Sequence, residues 1–148
     1  MPLTANRRWV ERMATRLGRM TVLVEDLDAA AGFYSSAFGF VRQYDETLPT
    51  GFRAVHVGPP NQPEVGLWLM PASAEDVRRQ AAGPPILVLY TDDLQFELSK
   101  LANFGVQPSE EPVRDTERGE AYAHIPDLYG NDIVLVELAA TPTAAAQV

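Results

Sequence analysis

Apolar and polar positions along the chain fall into one pattern written twice. Residues 21–46, TVLVEDLDAAAGFYSSAFGFVRQYDE, run as an apolar strand, an acidic turn, an amphipathic helix and a glycine. Residues 88–112, VLYTDDLQFELSKLANFGVQPSEEP, do the same. Each copy is followed by a strand holding a histidine, a turn, and a further apolar strand. Setting Asp26 on Asp93, His56 on His124 and Gly66 on Val134 needs an offset of about 67 or 68 residues throughout, the mark of a duplicated unit. One such unit cannot bury its own sheet face, whereas two can cover each other.

Within the first copy the pattern predicts a strand over 18–24 and a helix capped by Asp28. Its apolar stripe is Ala30, Phe33, Tyr34, Ala37 and Phe38, and Gly39 ends it. A strand over 41–44, a turn over 48–51, and strands over 52–57 and 65–70 follow, the last two joined by the Pro-rich turn 58–63. Ser73 to Asp76 reads as a capping box opening a linker helix, which Gly83-Pro84-Pro85 closes. The second copy predicts a strand over 86–90, then a helix capped by Asp92 or Asp93 with the stripe Leu94, Leu98, Leu101 and Ala102. Strands over 121–125 and 132–138 flank the turn 126–131. The expected fold is α+β: two tandem βαβββ repeats, each with a helix outside a curved sheet, leaving a concave inner face for a ligand. The expected single domain covers 19–138, with repeats over 19–71 and 85–138 and a linker over 72–84. Residues 1–18 are an extension and 139–148 a disordered tail.

Composition narrows the function classes. A 148-residue chain, 46% hydrophobic, has material for one core. The absence of cysteine removes disulfides, thiolate metal sites and cysteine nucleophiles, and fits a reducing compartment. No apolar stretch approaches the roughly 20 residues a membrane helix needs, and no signal-peptide pattern opens the chain; a soluble, cytoplasmic protein is expected. A net charge of −8 argues against a nucleic-acid partner. Within 1–18, Arg7, Arg8, Arg12 and Arg16 against Glu11 give +3, so the remainder carries −11. That arm, with Trp9, reads as a poorly packed extension, and a true start at Met13 or Met20 would account for it. Phosphate loops, serine-nucleophile elbows and zinc spacings are all missing.

Val24-Glu25-Asp26-Leu27-Asp28, Phe33-Tyr34 and Phe38-Gly39-Phe40 in the first copy, and Asp127 with Tyr129-Gly130-Asn131 in the second, closely resemble the vicinal oxygen chelate superfamily of glyoxalases, bleomycin-resistance proteins and extradiol dioxygenases. Leu128 departs from the proline of that family's DPxGN turn. The resemblance spans about residues 19–138 and implies the fold more than the function, since these motifs are caps and turns. In metal-binding members four ligands stand on the concave strands. The matching places here hold Arg19, Gly66, Ile86 and Val134, none of which offers an oxygen or imidazole donor to a divalent cation. The resemblance therefore implies a member with no metal and no other cofactor.

If the former ligand places face inward, period two along a strand turns Thr21, Trp68, Met70, Val88, Tyr90 and Val136 inward as well. The family correspondence adds Tyr122 and His124, and the duplicate offset adds His56 with Ala54. Arg19, His56, Trp68, Tyr90, Tyr122 and His124 are the expected ligand-binding residues, suited to a small hydrophobic or aromatic molecule held by stacking and hydrogen bonds. His56 and His124 are the only groups of near-neutral pKa. They stand as metal ligands with Glu64, Glu137 or Asp127, as acid-base groups, or as ordinary polar strand residues. Arg19 reads as an anchor for a ligand carboxylate or as the partner of an acidic neighbour. The resemblance also implies a homodimer. Non-covalent binding is the leading expectation. Its competitors are a metal-independent enzyme using His56 or His124, a metal-dependent lyase or dioxygenase with non-standard ligands, and an interaction module with a filled cup.

Overall fold

The structure, a computed structural model, describes residues 14–139. Arg7, Arg8, Arg12 and Trp9 of the arm, and the tail from residue 140, lie outside the described residues. The element order is β1 (Arg19–Val24), α1 (Leu27–Phe38), β2 (Val41–Thr47), β3 (Arg53–Gly58), β4 (Gly66–Pro71), α2 (Ala74–Ala81), β5 (Leu87–Thr91), α3 (Leu94–Ala102), β6 (Val113–Asp115), β7 (Glu120–Pro126) and β8 (Asp132–Glu137). It is the α+β arrangement of two βαβββ units. Each unit makes a four-stranded sheet, ordered β1-β4-β3-β2 and β5-β8-β7-β6. In both, the first strand lies parallel to the last and the remaining pairs are antiparallel. No helix among the described residues is long and apolar enough to cross a membrane.

Three local expectations change. Asp26, not Asp28, caps α1: its backbone is extended and its carboxylate accepts from the Ala29 amide at 2.8 Å. Asp28, one residue inside the helix, instead accepts from Arg42 and Arg53. The Arg53 guanidinium, then that of Arg42, holds its carboxyl down at about 2. Strand β2 runs three residues further than expected and carries an irregularity at Gln43, where the register with β3 shifts between Arg42 and Tyr44. The short β6 was not located by the hydrophobic pattern, because three residues are too few to show a period. Asp93 and Ser73 cap α3 and α2, and Gly39 ends α1 with φ +71°.

Strand alternation sorts the side chains. Val22, Val24, Val55, Val57, Leu67 and Leu69 of the first sheet pack with Ala30, Ala31 and Tyr34 of α1 in one apolar cluster. Ala121, Ala123, Ile125 and Leu135 of the second pack with Leu94 and Leu101 of α3 in another. Each fully buried Val, Leu or Ile contributes about 1.5–3 kcal/mol, so these two layers carry most of the fold's stability.

A buried polar clamp joins the halves. Asp127, in the β7–β8 turn, accepts from the Tyr34 hydroxyl of α1 (2.8 Å), from the Tyr129 and Asn131 amides and from Asn131 Nδ2 (each 2.9 Å). Burial and the facing Asp127 carboxylate push the Tyr34 phenol pKa up. The Tyr129 hydroxyl accepts from the Asp26 amide at 2.9 Å. Gln80 of α2 bonds both backbone groups of Leu23 and donates to Asn131 Oδ1. The residues that carry the family resemblance are thus the pins between the two repeats.

Candidate functional site

Each sheet has one face on its helix and one inner face turned away from it. Across the first inner face, Thr21, Trp68, His56 and Tyr44 stand in register over β1, β4, β3 and β2. The Tyr44 and His56 rings lie 5.1 Å apart between centroids, and His56 meets Trp68 edge-on at 5.9 Å. Such an aromatic ladder, half-buried rather than packed into the core, offers one broad apolar surface with polar points. On the second inner face, Val88, Val134 and His124 form one row and Tyr90, Val136, Tyr122 and Val113 the next. The strand residues expected to face inward lie on these faces, whereas Ile86, just before β5, packs against the first apolar cluster. The faces stand on two sheets, however, and no strand ladder joins the sheets among the described residues.

The two histidines occupy the same register position but have different neighbours. His124 Nδ1 lies 2.8 and 3.0 Å from the two carboxylate oxygens of Asp132. A carboxylate only accepts, so Nδ1–H donates, and Nε2 has no hydrogen-bond partner among the described residues. His56 has no carboxylate partner among the described residues. Burial, and then the positive charge of Arg19, lower its pKa from 6.5, so near neutral pH it is an uncharged imidazole.

Strand register also corrects the ligand correspondence. Thr21 is opposite Trp68 as Val88 is opposite Val134, and the Ile86 amide donates to the Asp132 carbonyl at the level where Arg19 meets Gly66. The counterpart of Val134 is therefore Trp68, and that of Gly66 is Asp132. The uniform offset failed because the β3–β4 turn holds two more residues than the β7–β8 turn. An indole N–H only donates, and Asp132 is engaged by His124. The carboxylates weighed as partners for a two-histidine metal site are committed elsewhere. Asp127 is in the clamp, Glu137 accepts from the Leu94 amide and Arg114, and exposed Glu64 faces Arg16 at 3.5 Å. Among the described residues no three His, Asp or Glu side chains are grouped to hold an ion. The residues present do not fit the metal the family often carries.

The first inner face carries a tied-down turn. Gln43 Nε2 donates to the carbonyls of Gln62 (3.0 Å) and Val65 (2.8 Å). Arg19 donates to those of Pro63 (3.2 Å) and Glu64. Four successive carbonyls of the β3–β4 turn are held by two side chains. Arg19 thus binds backbone oxygens, not the acidic side chain of a neighbour. Gly58 and Gly66 make room for this: a Cβ at Gly66 would stand 2.3 Å from Gln43 Oε1, and one at Gly58 2.4 Å from Gln43 Nε2. Gln43, Tyr44 and Asp132 escaped the sequence reading. The available signal was the pair of glycines inside strands, which marks a close approach by something else.

A cleft of about 560 Å³ opens where the edges of the two sheets approach. Leu17, Met20, Phe38, Phe40, Val88 and Tyr90 are among its lining. Of the six expected ligand-binding residues only Tyr90 reaches it, so cleft and aromatic ladder are neighbouring, distinct surfaces.

The profile of the Glyoxalase/Bleomycin resistance protein/Dioxygenase superfamily matches residues 16–135. The chain belongs to that superfamily. Among solved structures, UcmS2 is similar at 28% identity and TM-score 0.71, over 84% of this chain and 98% of that one. A superfamily member from Sphaerobacter thermophilus DSM 20745 is similar at 26% identity and TM-score 0.68, over the same shares. TnmS3, an antibiotic binding protein from Streptomyces sp. CB03234, shares the fold at 24% identity and TM-score 0.65, over 84% and 97%. No curated protein matches the chain in sequence.

Proposed function

We propose that this superfamily member binds a small aromatic or hydrophobic molecule on its inner faces, without a metal, and that binding is its activity. The observation that carries the reading is the Tyr44–His56–Trp68 ladder beside ligand places occupied by Arg19, Trp68, Ile86 and Val134. Stacking surface is present where Lewis-acid donors are not. Arg19, His56 and Trp68 supply the first wall; Tyr90, Tyr122 and His124 supply the second. TnmS3 is a precedent for the fold in antibiotic binding, not for this ligand. The second sheet's inner face is strongly exposed, Tyr90 at 70% and Val88 at 52%, and a second copy of the chain covers it in a homodimer.

The test is a native mass spectrum of full-length protein purified without chelator and offered manganese, iron(II), nickel and zinc in turn. A dimer with no specific ion adduct is expected, and a co-purified organic mass identifies the ligand. Stoichiometric retention of one ion type overturns the reading.

One observation favours a second reading, acid-base catalysis at His124. Its ring is oriented by Asp132, with no partner on Nε2 among the described residues, the arrangement of a general base. Turnover of a bound molecule that falls about 10²-fold in His124→Gln would place the protein among metal-independent enzymes.

A further inference from the structure

Three buried side-chain polar atoms among the described residues have no hydrogen-bond partner: Arg19 Nε, Gln43 Oε1 and Trp68 Nε1. All three belong to side chains of the first inner face. Arg19 is directly opposite Gly66, and Gln43 Oε1 lies over Gly66. Trp68 is two residues further along β4, on the same face and about 7 Å away by strand geometry. Two donors and one acceptor thus belong to side chains at neighbouring positions of one sheet face, beside the ladder. Chance placement does not explain why all three such atoms among the described residues fall on one sheet face, because buried polar groups in folded proteins are nearly always paired.

The same three residues are immobilised by their other bonds. Arg19 spends its two terminal nitrogens, and Gln43 its amide nitrogen, on the β3–β4 turn carbonyls. Gln43 cannot flip its amide without losing both of its bonds to that turn, so Oε1 is fixed as an acceptor. The three atoms are buried, so a ligand reaches them by displacing what covers them, while the anchored donor–donor–acceptor set itself needs little further ordering.

Resting on the binding function above, we propose that this triad recognises a neutral carbonyl–donor edge, a carboxamide or hydroxy-carbonyl group, on a flat aromatic molecule. The ligand carbonyl oxygen accepts from Arg19 Nε–H and Trp68 Nε1–H, and its N–H or O–H donates to Gln43 Oε1. The ring system lies along Trp68, His56 and Tyr44. A carboxylate suits the set less well despite Arg19, because it brings a second acceptor against Gln43 Oε1 and no donor. The neutral state of His56 likewise offers no second cation to an anion.

The experiment is isothermal titration of the full-length protein with three naphthalenes of similar size: 2-naphthamide, 2-naphthoate and 2-ethylnaphthalene. The amide is expected to bind about tenfold more tightly than either of the others. Trp68→Phe keeps a ring and removes the indole N–H. It should weaken the amide about five- to tenfold while leaving 2-ethylnaphthalene within twofold. Arg19→Lys keeps the charge and removes Nε–H, and should act in the same direction. Equal binding of all three probes, or tighter binding of the naphthoate, overturns the triad and leaves the aromatic-binding function standing. Binding of none of them, with no organic molecule co-purified, overturns both.

Discussion

The two repeats share one strand order and one histidine register, yet their β-turns have opposite duties. The β7–β8 turn of the second repeat reaches across to the first and is buried there, Asp127 accepting from Tyr34 and Tyr129 bonding Asp26. The β3–β4 turn of the first repeat stays on its own sheet, fastened by Gln43 and Arg19. One turn holds the molecule together, and the other shapes an inner face. The two inner faces differ as well: a continuous aromatic ladder with polar points in the first repeat, and valines interspersed with Tyr90, Tyr122 and His124, more open to solvent at Tyr90 and Val88, in the second. A duplicated fold has to solve its assembly problem only once, which leaves the other copy of the same turn free for a binding surface.

The sharpest way to break this comparison is at the clamp. Asp127→Ala should cost about 3–5 kcal/mol in chemical denaturation, because it strands the Tyr34 hydroxyl and two buried Asn131 donors at once. Gln43→Ala, on the other turn, should cost about 1 kcal/mol, its partners being able to turn to water. Equal costs would mean that the two turns do not differ in duty.

Gly66→Ala comes next. The added methyl meets both the Gln43 amide and the Val57 carbonyl at 2.3 Å, so about 1–3 kcal/mol of overpacking is expected. In a double-mutant cycle Gln43→Ala should relieve part of this and not all, since the backbone oxygen remains. Complete relief would show the strand pair to be freer than drawn.

On the open face, Tyr90→Glu should move the protein from dimer to monomer in sedimentation analysis while its melting temperature changes little. A dimer that survives the charge would place the interface elsewhere. The smallest effect is the pH response of His56. Its pKa is lower folded than unfolded, so in the window just below pH 6.5 the unfolded chain binds more protons. Stability is therefore full above that window and falls as the pH drops through it. His56→Gln should flatten the urea midpoint between pH 7.5 and 5. An unchanged slope would mean that another group sets it.

Much of this could be read from the hydrophobic pattern. Period-two alternation counted from the family's ligand places put Thr21, Trp68, Val88 and Tyr90 on the inner faces, since a one-residue slip would have put Val22 or Ile133 in water. The inward face of Tyr122 and His124 came from the family correspondence, and that of His56 from the duplicate offset. The α1 cap was misplaced because Asp26 and Asp28 are both good caps and only backbone angles distinguish them. The His124–Asp132 contact and the Gln43 tie were hidden for another reason: both depend on register between strands, which shifts with turn length and leaves no mark on either strand's own pattern.

The sequence by itself determined the duplication, the α+β class and the alternation of faces along the strands, since periodicity is a local property. Only the tertiary structure decided that Trp68 rather than Gly66 is the counterpart of Val134, that Gln43 lies over two glycines, and that Arg19, Gln43 and Trp68 leave unpaired atoms side by side. Hydrogen-bond satisfaction is a property of the assembled neighbourhood, and no single segment carries it.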